Sequence, residues 1–308
     1  MTRRQAVVLS KIGGGYRVRT GGESIDAALR GRLKRGKSKQ VLVGDVVTIH
    51  VQSDRAVTIE EVQPRRSVLK RRSPGRKHGV RNVAANVDQV VVVGAARHPD
   101  WDSHMMDRFT AVAAANDLSC IVVVNKCDLC DEAENLGSPY AQAGYPVVYT
   151  SVKREQGLGD LRRHLSGRTS LFTGPTGVGK SSLLNTLQPG LRLLTAAVST
   201  KTRGGRHTTV SAEMHPFGGN GFVVDTPGLR DVGLWGVEPR EVAAAFPEFA
   251  AFAGYCRFDD CRHVQEPQCA VAEAAERGLL AISRLDSYRR MLEEARDASR
   301  PWMSGRSK

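Results

Sequence analysis

The chain has 308 residues, with 45 Lys and Arg against 32 Asp and Glu, and a formal net charge of +13. That length suits two or three domains better than one. No apolar run approaches the ~18 residues of a membrane span, and the basic, polar start has no signal-peptide core, so a cytoplasmic protein with no membrane partner is expected.

The charge is not evenly spread. Residues 1–82 carry 20 Lys/Arg and 6 Asp/Glu, whereas residues 83–308 carry 25 and 26. A basic, polyanion-binding module joined to a nearly neutral one accounts for that asymmetry. Within the basic part, alternating stretches at 6–9, 16–19, 46–51 and 56–59 read as short strands separated by glycine and Ser-Asp turns. Strands of this length and spacing suggest a small barrel of the OB type. Residues 30–39 would form a basic loop on it, in which Arg32, Lys34, Arg35, Lys37 and Lys39 are the expected RNA contacts through phosphates. Tyr16 is the only aromatic residue before Trp101, so shape and backbone contacts to folded RNA fit better than base-by-base stacking. A second basic run at 65–72 leads into residues 73–78, which read as a linker.

Further on, the run 120–124 (Cys-Ile-Val-Val-Val) reads as a buried parallel strand. It ends in Asn125-Lys126-Cys127-Asp128. A carboxylate at Asp128 can accept hydrogen bonds from both the N1–H and the exocyclic amine of guanine, a donor pair that adenine lacks. Alone, N-K-x-D fits an ordinary strand-end turn equally well. Cys127 and Cys130 have C-x-x-C spacing, but they overlie this loop and read as plain small residues. After the strand-like stretch 145–149, Ser151 and Val152 are placed to lean backbone N–H groups on the base.

Residues 174–181 then supply the deciding motif: Gly174, Pro175, Thr176, Gly177, Val178, Gly179, Lys180 and Ser181 have G-x-x-x-x-G-K-S spacing. They sit between a short apolar strand and a helical pattern that opens with Ser182, the context a phosphate-binding loop requires. Glycines let backbone N–H groups turn inward around phosphate, and the helix N-terminus adds its dipole. Lys180 would reach the β- and γ-phosphates and Ser181 would hold Mg²⁺. Beside this loop, the N-K-x-D residues make GTP or GDP the expected nucleotide.

Asp225-Thr226-Pro227-Gly228 follows another strand-like run. Asp225 would hold Mg²⁺ through water, and the Gly228 N–H would sense the γ-phosphate. The polar segment 203–209 between the two motifs suits a mobile switch, with Thr209 preferred over Thr208 for the Mg²⁺ shell. Leu229 stands where Ras-like GTPases place a water-orienting Gln. An apolar side chain cannot polarise water, so intrinsic hydrolysis is expected to be slow, and His207 is the candidate catalytic residue. Ordinary GTPases run from the phosphate loop to N-K-x-D; here the order is reversed. Joining the usual termini and cutting after D-x-x-G gives this order, a circular permutation.

Of the six cysteines, three cluster with a histidine: Cys256, Cys261, His263 and Cys269. Four nitrogen and sulfur ligands in so short a stretch fit one structural Zn²⁺ site, and residues 269–296 after it have helical composition. The fold class expected is therefore multidomain: an N-terminal OB-like β-barrel over 1–75, a circularly permuted α/β P-loop GTPase with a mostly parallel sheet over 76–235, and a zinc-binding, mainly helical C-terminal domain over 236–308.

These residues together resemble the RsgA (YjeQ/YloQ) family of circularly permuted GTPases of small-subunit ribosome biogenesis. The likeness rests on the barrel-like basic module, N-K-x-D ahead of G-x-x-x-x-G-K-S-S, Gly-Arg-His-Thr-Thr, D-T-P-G and C-x4-C-x-H-x5-C. Pro175-Thr176 departs from the family's more usual Gln-Ser without disturbing the spacing. The resemblance implies GTP hydrolysis stimulated by the small ribosomal subunit, with that subunit and its rRNA as partners during late maturation, by a protein expected to be a monomer. Two alternatives stay open: a permuted GTPase serving the large subunit, and an RNA-binding assembly scaffold with little turnover.

Overall fold

The structure is a computed structural model that describes residues 2–31, 40–52, 56–72, 80–191, 212–225 and 239–299. Its first five strands are β1 (Thr2–Ile12), β2 (Gly15–Thr20), β3 (Glu23–Leu29), β4 (Val46–Val51) and β5 (Val57–Val62). They close into a barrel in the order β1-β2-β3-β5-β4. Closure depends on the length of β1, whose first half pairs with β4 and whose second half pairs with β2. The last seam is the parallel pair β3–β5. Strand alternation sends Val8, Val18, Val47, Ile49 and Ile59 into the interior, each with no exposed surface, and leaves Arg17 outside, paired with Asp26. Four strands were predicted here, and β3 is an addition: only Ala27 of its seven residues is fully buried, so it has almost no hydrophobic alternation to read.

β6 (Val68–Arg72) and β7 (Val80–Ala85) pair antiparallel with each other. Residues 73–78, predicted as a linker, fall between these two strands in the sequence and lie outside the described residues. The hairpin is tied to the barrel by polar contacts. Asn86 Nδ2 donates to the Gly44 carbonyl at 2.8 Å, and its Oδ1 accepts from the Arg66 N–H at 2.8 Å. Arg65 grips the fully buried Asp45 carboxylate through two nitrogens, at 2.6 and 2.8 Å.

From Gln89 to Leu187 strands and helices alternate: β8 (Gln89–Ala95), α1 (Ser103–Ala114), β9 (Ser119–Asn125), α2 (Ala133–Gln142), β10 (Val147–Thr150), α3 (Leu158–Leu165), β11 (Thr169–Thr173) and α4 (Lys180–Leu187); the strands β12 (Glu213–Phe217) and β13 (Gly221–Asp225) come next. Helices α5 (Ala250–Ala253), α6 (Ala270–Glu276) and α7 (Ile282–Ser299) follow. Such alternation builds a parallel sheet covered on both faces, and β8 and β11 are accordingly buried along their whole length.

The chain divides into two compact units: Met1–Val90 with Gly159–Thr173 and Ser181–Asp231, and Val91–Leu158 with Gly174–Lys180 and Val232–Lys308. Each unit holds strands of the α/β part. In the first unit the order is β11-β13-β12, with β13 parallel to β11 and antiparallel to the hairpin partner β12. In the second it is β10-β9-β8, with β10 parallel to β9. The second unit also contains the C-terminal core, where Val242, Phe246, Phe249, Val271, Leu285, Tyr288 and Met291 pack together with Ala111 of α1. Among the described residues, no helix is long and apolar enough to cross a membrane.

Candidate functional site

β9 carries Asn125 to its C-terminal end, where the side chain is buried and uses both ends of its amide. Nδ2 donates to the Val178 carbonyl at 2.8 Å, and Oδ1 accepts from Thr150 Oγ1 at 2.9 Å. The next residue, Lys126, takes a left-handed φ of 58°. Its Nζ donates to the Gly177 carbonyl at 2.8 Å and also to the His98 carbonyl. Two consecutive residues of N-K-x-D thus hold the main chain of the phosphate loop, through neighbouring carbonyls.

Asp128 lies in the single 3-10 turn Cys127–Leu129. Its Oδ1 accepts from Ser151 Oγ at 2.6 Å, and that hydroxyl accepts from the Arg154 N–H at 3.1 Å. Ser151 and Gln156 exchange both main-chain hydrogen bonds, at 3.1 and 3.0 Å, closing the small loop that carries Val152. The predicted base-reading residues therefore converge. Burial and the Asp128 charge push the Cys127 thiol up, away from thiolate chemistry.

In the phosphate loop, Gly174, Gly177 and Gly179 have φ of 136°, 84° and 98°. A Cβ on Gly174 would lie 2.0 Å from the Val93 carbonyl, and one on Gly179 would lie 2.5 Å from Asn125 Nδ2. No larger residue fits either position. Lys180 Nζ donates to the Gly174 and Pro175 carbonyls, both at 2.7 Å, so its ammonium folds back over the loop. In the first unit, Ser181 and Ser182 stand half-buried in the first turn of α4. Asp225 ends β13 in register with Phe172 of β11, the strand that leads into the phosphate loop. The predicted His207, Thr208, Thr209, Gly228 and Leu229, and the basic-loop residues Arg32, Lys34, Arg35, Lys37 and Lys39, lie outside the described residues.

The third group is Cys256, Cys261, His263 and Cys269, whose ligand atoms all lie within 4.8 Å of one another. His263 Nδ1 is 3.6 Å from Cys256 Sγ and 3.4 Å from Cys269 Sγ, and the two sulfurs are 4.0 Å apart. A tetrahedral ion with Zn–S near 2.3 Å and Zn–N near 2.0 Å requires S···S and N···S separations of about 3.8 and 3.5 Å. The cluster fits such an ion. Burial raises the Cys261 and Cys269 thiols, which also face neighbouring sulfurs; a divalent cation would relieve this. Phe249 sets its ring edge-on to His263 at 5.9 Å, and the Tyr288 hydroxyl donates to the Arg262 carbonyl at 2.6 Å.

Some contributors were not read from the sequence. His98 acts through its carbonyl, which no residue type announces. Glu266 accepts three backbone N–H groups inside the ligand loop; a carboxylate midway between His263 and Cys269 was the available sign.

A phosphate loop on a strand–helix turn, with its carbonyls held by an N-K-x-D segment that precedes it in the chain, defines a circularly permuted P-loop GTPase. The chain belongs to the RsgA GTPase family, which it matches over residues 62–235. It is 47% identical over 300 residues to a small ribosomal subunit biogenesis GTPase RsgA of Gemmatimonas aurantiaca, covering 95% of this chain and 98% of that protein. The Moorella thermoacetica protein of the same name is 40% identical, with 94% and 97% covered. Among solved structures, YjeQ from Thermotoga maritima superposes with a TM-score of 0.80 at 34% identity, covering 97% of this chain and 100% of that one. YloQ, described as a circularly permuted GTPase, gives 0.76 at 29% identity, with 98% of each chain covered. The chain is thus a guanine-nucleotide-binding GTP hydrolase.

Proposed function

We propose that this GTPase acts in the cytoplasm as a hydrolysis-timed switch on the small ribosomal subunit and its rRNA during late maturation. The observation that carries the nucleotide side of this reading is the double hold of Asn125 and Lys126 on the Val178 and Gly177 carbonyls, which couples base-reading to phosphate-binding residues. The names of its relatives support the ribosomal side.

In this reading Asp128, oriented by the Ser151 hydroxyl, accepts from the guanine edge, with the Val152 N–H beside it; the Ser151 N–H is engaged by the Gln156 carbonyl. Residues 174–182 wrap the phosphates, and Lys180 exchanges the Gly174 and Pro175 carbonyls for phosphate oxygens. Ser181, Asp225 and Thr209 would hold Mg²⁺, which neutralises charge on the β- and γ-phosphate oxygens; Gly228 senses the γ-phosphate. His207 orients the attacking water once the RNA partner orders its segment. Cys256, Cys261, His263 and Cys269 hold one structural Zn²⁺. The barrel, with Arg32, Lys34, Arg35, Lys37 and Lys39, meets rRNA phosphates, and residues 1–75, 76–235 and 236–308 act as three functional segments of a monomer.

Phosphate release from GTP, measured alone and with purified small or large subunits, tests the proposal. Stimulation by small subunits alone is expected. Stimulation by large subunits would move the activity to the other particle, and no stimulation by either would favour an assembly scaffold.

A further inference from the structure

His263 has a φ of 55°, in the left-handed region that a non-glycine residue enters only when its surroundings hold it there. The holding contacts are on both sides of the residue. Glu266 Oε1 accepts from the Arg262 N–H at 3.2 Å, and Oε2 accepts from the Val264 and Gln265 N–H groups at 2.8 and 3.1 Å. On the carbonyl side, the Tyr288 hydroxyl donates to Arg262 at 2.6 Å and Arg289 Nε to His263 at 3.2 Å, both from α7. The ring that results from this clamp points Nδ1 at two cysteine sulfurs. Glu266 is not one of the four clustered ligands.

We infer that Glu266 is a positioning residue of the metal knuckle, holding His263 ready to ligate through the main-chain N–H groups on either side of it. The inference rests on the proposed reading of the four ligands as a metal site. Only a carboxylate suits the position, because it accepts through both oxygens; an amide would turn an NH₂ group towards donors. With the carboxylate gone, the ligand loop must be ordered at the moment of metal binding, and that ordering is subtracted from affinity. Residues that orient a metal ligand from outside the coordination sphere commonly change affinity by about 10–100-fold when removed.

The test uses the full-length chain with Co²⁺ as a spectroscopic probe of tetrahedral ligation and Zn²⁺ transfer to a chromophoric chelator. Glu266→Gln is expected to weaken Co²⁺ binding and speed Zn²⁺ release by about tenfold or more. Its tetrahedral absorption bands at saturation should remain, as should its GDP affinity. Glu266→Asp, which keeps the charge with a shorter reach, should retain more affinity than the Gln variant. Wild-type affinity and release in Glu266→Gln would overturn the positioning role. Failure of the wild-type chain to give tetrahedral bands would instead remove the metal reading on which the role depends.

Discussion

Asn125 Nδ2 lies 2.8 Å from the Val178 carbonyl, joining the end of β9 to the centre of a loop 53 residues later in the chain. In an unpermuted GTPase the phosphate loop comes first; here the base-reading strand precedes it in the chain. Both ends of the Asn125 amide are occupied, because Oδ1 accepts from Thr150.

Asn125→Ala removes that contact and leaves a buried carbonyl and a buried hydroxyl without partners. Two such losses are worth about 2–3 kcal/mol, so GDP affinity, read with a fluorescent nucleotide, should fall by roughly 30–150-fold. Thr150→Val removes one hydrogen bond and should cost less. Wild-type affinity in Asn125→Ala would mean that the phosphate loop holds its own shape.

Asp128 stands with Oδ1 on Ser151 Oγ. Replacing it by Asn puts an amide where the guanine edge requires acceptors, so competition assays should show preference moving from guanine towards xanthine nucleotides. Ser151→Ala should keep guanine selectivity and lower affinity by about tenfold or less, the equivalent of one ordinary hydrogen bond of about 0.5–1.5 kcal/mol. Selectivity retained in Asp128→Asn would place base reading in other residues.

How much of this was legible in the sequence depended on the range of the forces involved. The nucleotide loops could be read because their glycines tolerate no side chain: a Cβ on Gly174 would meet the Val93 carbonyl and one on Gly179 the Asn125 amide, and the spacing records that. β2 and β4 could be read because Val18, Val47 and Ile49 alternate with polar residues. β3 could not, since its pairing with β2 and β5 stabilises a strand with little to bury. The β6–β7 hairpin was hidden by its basic composition, which resembles a linker until the pairing is seen. Arg284 left a fainter sign. It falls on the same helical stripe as Tyr288, Met291 and Ala295, all buried, and a charged residue on an apolar stripe needs a buried partner.

His207, outside the described residues, remains the candidate water-orienting group because Leu229 cannot do that work. With small subunits present, His207→Ala should lower turnover by about 100-fold or more, while nucleotide affinity stays within a factor of two or so of wild type. Loss of affinity in parallel with turnover would point to a binding role. Unchanged stimulated turnover would remove His207 from the mechanism.

Arg284 provides the last prediction. From α7 its Nη1 donates to Asp107 Oδ1 of α1 at 2.7 Å, and its Nε donates to Glu248 Oε1 at 2.7 Å. Only 1% of the Arg284 side chain and none of Asp107 is exposed, and the guanidinium lies 4.7 Å from the Phe246 ring centroid. Burial alone would lower the Arg284 pKa, but Asp107 and Glu248 outweigh it and raise it. Burial raises the Asp107 carboxyl despite the attraction of Arg284. Arg284→Met keeps the volume but leaves two carboxylates in the C-terminal core without their cation, at a cost of about 3–5 kcal/mol. The pH dependence has a definite sign. A carboxyl whose folded pKa exceeds its unfolded value binds its proton more tightly when folded, so protonation favours the fold. Without Arg284, Asp107 should rise further. The difference in stability between variant and wild type should therefore be largest at neutral pH and shrink as pH falls through the raised Asp107 pKa. Thermal unfolding of both proteins across that range measures it. A difference that stays constant with pH would assign the loss to packing against Phe246 and the neighbouring rings rather than to the stranded carboxylates.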